Sequence, residues 1–161
     1  MRLRQLSVAL LPLAFTACLS GSDYNSSITA PNIPIEQTTF ASTLNVDLTK
    51  STKTSSGMYI RDLTVGGGAA VTSTSSVTVY YEGFLANGYR FDARLSPSDP
   101  YPVKLGTKSV IDGWEQGLVG MKAGGKRQLV IPPELGYGPY GYGDIPSNAV
   151  LVFNVEIVAV Q

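Results

Sequence analysis

The stretch VIDGWEQGLVGM, residues 110–121, holds the one helical stripe in the folded part of this chain. Ile111, Trp114, Leu118 and Met121 fall at i, i+3, i+7 and i+10, the spacing that lines one face of a helix. Asp112 is placed to cap its start. Gly113 and Gly117 lie four apart, on one side, and each costs a helix roughly 1 kcal/mol relative to alanine. The expected return is close approach of the helix backbone to another element. Gly120 and the AGG at 123–125 end the segment. One short helix of this kind can cover a sheet but cannot build a core alone.

The other patterned segments read as strands. MYIRDLTV (58–65) alternates, and GGGAA then turns the chain. SVTVYYEGF (76–84) places Val77, Val79 and Tyr81 on one face by period two. Asn87-Gly88 is a hairpin signal that returns residues 89–92 as a short strand. YPVKLG (101–106) is a further extended piece, and KRQLVI (126–131) is a strand stopped by Pro132-Pro133. In VLVFNVEIVAV (150–160), Leu151, Phe153, Val155 and Ile157 share one face, with Asn154 and Glu156 on the other. The pattern predicts an α+β domain, an antiparallel sheet whose apolar face is covered by one short helix. A hydrophobic fraction of 43% against 15% charged residues fits such a core. The Gly/Pro/Tyr segment at 134–149 is too long for a simple turn and is a functional candidate.

The first residues read as an address. Arg2 and Arg4 precede an apolar run at 6–17 that is too short to cross a bilayer core of ~30 Å. This is the pattern of a secretory signal. Phe15-Thr16-Ala17-Cys18 resembles a bacterial lipobox, which implies cleavage before Cys18 and acylation of that residue. Several acyl chains would anchor the protein firmly. Leu19, rather than Asp, after the cysteine favours the outer membrane by analogy with enteric lipoproteins. Residues 19–40 are rich in Ser, Thr, Asn and Pro and read as a flexible tether. The expected organisation is a signal at 1–17, acylated Cys18 and tether through residue 43, and a folded domain at 44–161.

Composition removes many chemistries. Twelve Lys+Arg balance twelve Asp+Glu, so no polyanion such as nucleic acid is expected as a partner. There is no histidine and only one cysteine. The commonest general base is thus absent, along with any Cys/His metal site or internal disulfide. No G-x-S-x-G elbow occurs, and GGGAA is not followed by the Lys-Ser/Thr of a phosphate loop. Neither metal nor cofactor is expected. Asp112 and Glu115 are read as helix cap and solvated face, not as an acid pair. What remains is aromatic: Tyr81, Phe91, Tyr101, Trp114, Tyr137, Tyr140, Tyr142 and Phe153. Such residues offer apolar walls with a few donors, a lining suited to an apolar group such as a prolyl ring.

The blocks VTVYYEGFLANGYRFDAR, VIDGWEQGLVGMKAGGKRQLVIPPELGYG and IPSNAVLVFNVEIVAV together resemble the FK506-binding type of peptidyl-prolyl cis–trans isomerase. With the lead-in LNVDLTKSTKTSSGMYI they cover nearly all of the expected domain. The resemblance implies a curved, five-stranded antiparallel sheet wrapped around one short helix as a half-barrel. It also implies a proline pocket. Tyr81 and Phe91 would form walls, Asp92 the acidic rim, and Tyr101 an aromatic wall where the family often has Phe. Val110 and Ile111 would lead into the helix, with the Ile111 N–H receiving a substrate carbonyl. Trp114 would be the floor as well as core, and Tyr137 a hydroxyl donor. Tyr142, Ile145 and Phe153 would complete the lining. Tyr81, Asp92 and Tyr137 are the expected catalytic side chains. Two departures stand out: the loop through Tyr142 is slightly shorter than in many relatives, and Asn154 replaces a frequent Asp. The implied partners are proline-containing polypeptides, with FK506-like macrolides as inhibitors. The implied setting is the envelope, facing periplasm or cell surface. A non-catalytic proline-binding or chaperone module anchored at the membrane is the alternative reading.

Overall fold

The computed structural model describes residues 30–95 and 97–161. The signal, Cys18 and the first part of the expected tether lie outside these residues. Among the described residues seven strands are present: β1 (Thr52–Lys53), β2 (Tyr59–Thr64), β3 (Ser76–Leu85), β4 (Arg90–Arg94), β5 (Tyr101–Lys104), β6 (Lys126–Ile131) and β7 (Leu151–Val160). They form one sheet in the order β1-β2-β6-β7-β3-β4, with β5 also on β3. Every pairing is antiparallel.

The count is seven, not five, for two reasons. The lead-in adds the two-residue β1 to the outer edge of β2. The far edge of β3 is shared by two strands: β4 covers Tyr81–Phe84, and β5 covers Ser76–Val79. Between the two, residues 97–100 form no strand.

Strict period two sorts the central strands between two cores. Leu151, Phe153, Val155 and Ile157 of β7 point into a main core with Leu129 and Ile131 of β6, and with Val77, Val79 and Tyr81 of β3. Their sequence neighbours Val150, Val152 and Val130 point the other way, into a second cluster with Ile35, Leu44 and Tyr59. The sheet therefore has two apolar faces at its centre. The expected single apolar face is incomplete because residues 30–48 cover the back. Ile35 is buried at 3% exposure and Leu44 at 5%. The part of the expected tether that falls among the described residues thus packs against the sheet.

The helix α1 (Asp112–Gly117) lies on the main-core face. It is shorter than the 110–121 stripe, since Gly117 and Gly120 interrupt it and Gly120 adopts φ +81°. Trp114, Leu118 and Met121 are nevertheless all buried. The glycine pair has the expected use. A Cβ on Gly113 would lie 2.6 Å from Cγ2 of Ile131, and one on Gly117 would lie 2.8 Å from Cδ2 of Leu129. The helix backbone therefore rests directly on β6. Asp112 does not cap the helix: Ile111 occupies the cap position without a side-chain bond. The Asp112 carboxylate is drawn instead to Lys108 Nζ at 2.6 Å.

The far end of α1 is held by Arg127, a buried cation on the inward face of β6. It pairs with Asp62 through Nε and Nη2 (2.6 and 3.1 Å) and donates from Nη1 to the carbonyls of Gly117 and Val119 (2.8 and 3.2 Å). These are carbonyls that a helix end leaves without internal partners. Curvature follows from the reach of the helix. It touches Ile131 on β6, Phe153 on β7, Tyr81 on β3 and Tyr101 on β5. In a flat sheet β6 and β5 would stand about 14 Å apart, so the sheet must wrap.

Candidate active site

Where the sheet wraps past the start of α1, a cavity of about 320 Å³ opens. It is lined by Tyr81, Phe91, Asp92, Tyr101, Ser109, Val110, Ile111, Trp114, Tyr137 and Phe153. Six aromatic pairs shape it, five of them close to edge-to-face, and four have ring centroids within 5.7 Å. Tyr81 meets Trp114 at 5.0 Å and 85°, and Trp114 meets Phe153 at 5.4 Å and 84°. Phe91 meets Phe153 at 5.5 Å and 83°, and Tyr81 meets Tyr101 at 5.7 Å and 67°. This geometry sets the positive ring edges against the negative ring faces and fixes each wall by its neighbours.

Gly83 makes that box possible. It sits on β3 two residues beyond Tyr81, in register with Asp92 on one side and Phe153 on the other. A Cβ there would come 2.6 Å from Cε1 of Phe153 and 2.7 Å from Cζ of Phe91. Its absence lets the two rings close across the strand. Sequence reading missed this residue. The available signal was a glycine inside a strand otherwise rich in β-branched and aromatic residues, which marks close approach. Ser109 was missed as well, and it carries no comparable signal.

The polar groups are few. Tyr81 Oη donates to Asp92 Oδ2 at 2.6 Å. Burial, and then the Asp92 carboxylate, push the Tyr81 phenol well above the ordinary tyrosine range. Burial raises Tyr137 too, with the negative charge of Asp92 second. Both phenols are therefore neutral donors near neutral pH. Among the described residues, no hydrogen bond engages the Tyr137 hydroxyl or the Ile111 N–H. The Ile111 carbonyl is occupied, accepting from the N–H groups of Trp114 and Glu115.

Glu115 is more than a solvated face. Its carboxylate accepts from the N–H groups of Gly106 (2.7 Å) and Lys108 (2.8 Å). Together with the Lys108–Asp112 pair, it braces the loop that presents Ser109, Val110 and Ile111.

Tyr142 and Ile145 do not line the main cavity. They border an adjoining recess of about 230 Å³ with Phe91, Asp92, Tyr137, Gly143 and Asp144. Tyr142 stacks on Tyr137 at 5.6 Å and 16°, which holds it beside the cavity. Ile145 is drawn into the main core. Tyr140 is 92% exposed and belongs to neither space.

An antiparallel sheet wrapped around one short helix, with an aromatic-lined cavity at the helix start, is the architecture shared with the prolyl isomerases this chain matches. The chain belongs to the FKBP-type peptidyl-prolyl cis-trans isomerase family, whose sequence model matches residues 67–158, and its activity is cis–trans isomerisation of peptidyl-prolyl bonds. An FK506-binding protein of Neisseria meningitidis serogroup B is 46% identical over 105 residues, spanning 65% of this chain and 96% of that protein. The FKBP-type isomerase FkpA of Buchnera aphidicola is 42% identical over 110 residues, spanning 68% of this chain and 43% of that one. Among solved structures, FkpA from Escherichia coli superposes with a TM-score of 0.64 at 38% identity, covering 70% of this chain and 52% of that chain.

Proposed function

We propose that the aromatic cavity binds the proline ring of exported or envelope polypeptides and speeds rotation about the bond before it. An X–Pro amide rotates slowly because resonance sets a barrier of ~18–20 kcal/mol. No covalent bond breaks, so neither nucleophile nor metal is needed. Twisting the amide removes resonance and makes the carbonyl less polar. Walls of Tyr81, Phe91, Trp114 and Phe153 disfavour the planar, polar ground state relative to the twisted one. The Ile111 N–H receives a substrate carbonyl and fixes the chain on one side of the rotating bond. The Tyr137 hydroxyl, whose ionisation burial pushes further above neutral pH, holds the other side. Asp92 keeps the Tyr81 ring in place through its short hydrogen bond. Each 1.4 kcal/mol of preference for the twisted amide is worth about tenfold in rate.

The observation that carries this reading is the pairing of an edge-to-face aromatic box with uncommitted donors on its lining, Ile111 N–H, Tyr137 Oη and Trp114 Nε1 among them. The test is cis-to-trans relaxation of a short X–Pro peptide with the purified chain, repeated with FK506. Acceleration abolished by the macrolide is expected. A folded protein that leaves the relaxation at its uncatalysed rate would overturn the proposal.

We also propose that the protein is exported and anchored through acylated Cys18. The basic start, the apolar run at 6–17 and the lipobox-like residues 15–18 support this reading. Cys18→Ala should abolish incorporation of a labelled fatty acid and release the domain from the membrane fraction. Unchanged labelling would sink the assignment.

A further inference from the structure

Residues 30–44 lie outside the segment that matches the family, yet they are tied to the loop that carries Tyr137. We infer that this strap is a positioning element for the active-site loop, acting through Ser147 and Asn148. The inference rests on the reading above that Tyr137 contacts substrate.

The strap holds the loop at both ends. Near its start, Asn32 Nδ2 donates to Glu134 Oε1 at 2.5 Å. Near its finish, the Ala30 N–H donates to Ser147 Oγ at 2.9 Å, and Asn148 Nδ2 donates back to the Ala30 carbonyl at 2.5 Å. Asn148 is the relay. Its backbone N–H donates to the carbonyl of Gly138, the residue after Tyr137, at 2.9 Å. Asn148 stands at φ +52°, a conformation that asparagine tolerates better than most residues.

The strap is itself fixed to the sheet, so it can act as a reference. Ile35 is buried against the back of the sheet. Glu36 accepts from Tyr59 Oη at 2.6 Å and from Lys53 Nζ at 2.5 Å. The Ala41 N–H donates to the Ala86 carbonyl at 2.8 Å.

The loop needs such a reference. Gly138, Gly141 and Gly143 all take positive φ, and glycine segments lose much chain entropy on ordering. Within the loop, a reciprocal pair between Tyr142 and Ile145 and short turns at Pro132–Gly136 are its own bonds. The Tyr137 ring is flanked by Tyr142, which is itself 73% exposed. Ile145 and the Tyr137 ring already pack on the main core, and fixing the far end of the loop to a packed strap narrows where the Tyr137 hydroxyl stands.

The test uses the full chain carrying Ser147→Ala with Asn148→Gly. Glycine keeps the positive φ while both side-chain bonds to Ala30 are lost. Amide exchange is followed across residues 136–142 and across β7. Isomerisation kcat and KM are measured on an X–Pro peptide, and FK506 affinity is read by Trp114 fluorescence. The expected result is severalfold faster exchange in the loop with β7 unchanged, and a three- to tenfold lower kcat/KM borne mainly by KM. FK506 binding should weaken in step, and Ser147→Thr should behave as the parent. Asn32→Ala, an exposed change that leaves Asn148 intact, should give a smaller effect of the same sign. Unchanged loop exchange in both variants would overturn the coupling. Faster exchange with unaltered KM and FK506 affinity would overturn the positioning role. If the parent chain does not isomerise the peptide, it is the proposed function that fails, and loop exchange and FK506 affinity still decide the role of the strap.

Discussion

Tyr81 and Asp92 meet diagonally across the β3–β4 pair, Tyr81 standing opposite Arg94 and Asp92 opposite Gly83, with the phenol donating to the carboxylate at 2.6 Å. One bond thus joins a wall of the cavity to its acidic rim. Tyr81→Phe keeps the ring and loses the bond. A hydrogen bond to a charged group contributes about 1.5–3 kcal/mol, and Asp92 is open to water, so the lower end applies. Tyr81→Phe should lower unfolding stability by about 1.5 kcal/mol and kcat/KM severalfold, as read by urea denaturation and the peptide assay. The sign with pH is defined. Tyr81 is raised above the ordinary tyrosine value of 10.0. Its stabilising contribution is therefore complete below pH 10 and fades as pH rises through the elevated value. In an absorbance titration at the phenolate band, Tyr81 should ionise last, with Tyr137 also late, and Asp92→Asn should bring both earlier. A parent protein whose tyrosines all titrate together would contradict this.

Gly83→Ala tests the box. The added methyl meets Phe91 and Phe153 at distances no ring can accept without moving. Overpacking of this kind costs about 1–3 kcal/mol. Catalysis should suffer more than stability, since both displaced rings line the cavity. A more than tenfold loss of kcat/KM is expected, with the thermal midpoint lowered by only a few degrees. Parent-like FK506 affinity in this variant would show that the two rings do not define the ligand space.

Arg127→Met removes the buried clamp on α1. The carbonyls of Gly117 and Val119 lose a charged donor, and Asp62 loses its fork-shaped partner. Unsatisfied buried acceptors cost about 1–3 kcal/mol each, so a total near 3 kcal/mol is expected in denaturant unfolding. Arg127→Lys should recover little, because an ammonium cannot serve two carbonyls and a carboxylate in one plane. Full recovery by lysine would mean that charge alone matters.

Acid should loosen the strap. Lys53 first, and Tyr59 second, lower the Glu36 carboxyl from 4.5 to about 2. Its contribution is therefore present above pH 4.5 and is lost as pH falls toward 2. Limited proteolysis within residues 30–40 should quicken between pH 5 and pH 2. Glu36→Gln should cleave faster at pH 6 and lose most of that acid response. An acid response identical in parent and variant would place the titrating group elsewhere.

The alternation in β3 and β7 was legible because period two is dictated by the pleat, and the helical stripe because Trp114, Leu118 and Met121 are all core residues. The close approach at Gly113 and Gly117 was legible from cost alone, since two such residues in one turn require a reason. Of the residues the resemblance assigned to a pocket, Tyr81, Phe91, Asp92, Tyr101, Val110, Ile111, Trp114, Tyr137 and Phe153 border one cavity, while Tyr142 and Ile145 border the adjoining recess, drawn there by stacking on Tyr137 and by burial in the core. Three features stayed hidden. The Asp112 cap failed because Lys108, in a left-handed turn, competes for its carboxylate. The strap was unreadable because only a few apolar residues, Ile35 and Leu44 foremost, hold a largely polar segment to the sheet. The division of one sheet edge between β4 and β5 depends on pairings distant in sequence, which no local pattern encodes.

The entry of the strap at Ala30 has a geometrical consequence. Ala30 touches Ser147 and Asn148, two and three residues from Ile145 in the recess beside the cavity. Anything joined ahead of Ala30 is thus hitched to the working rim of the domain, not to its opposite pole.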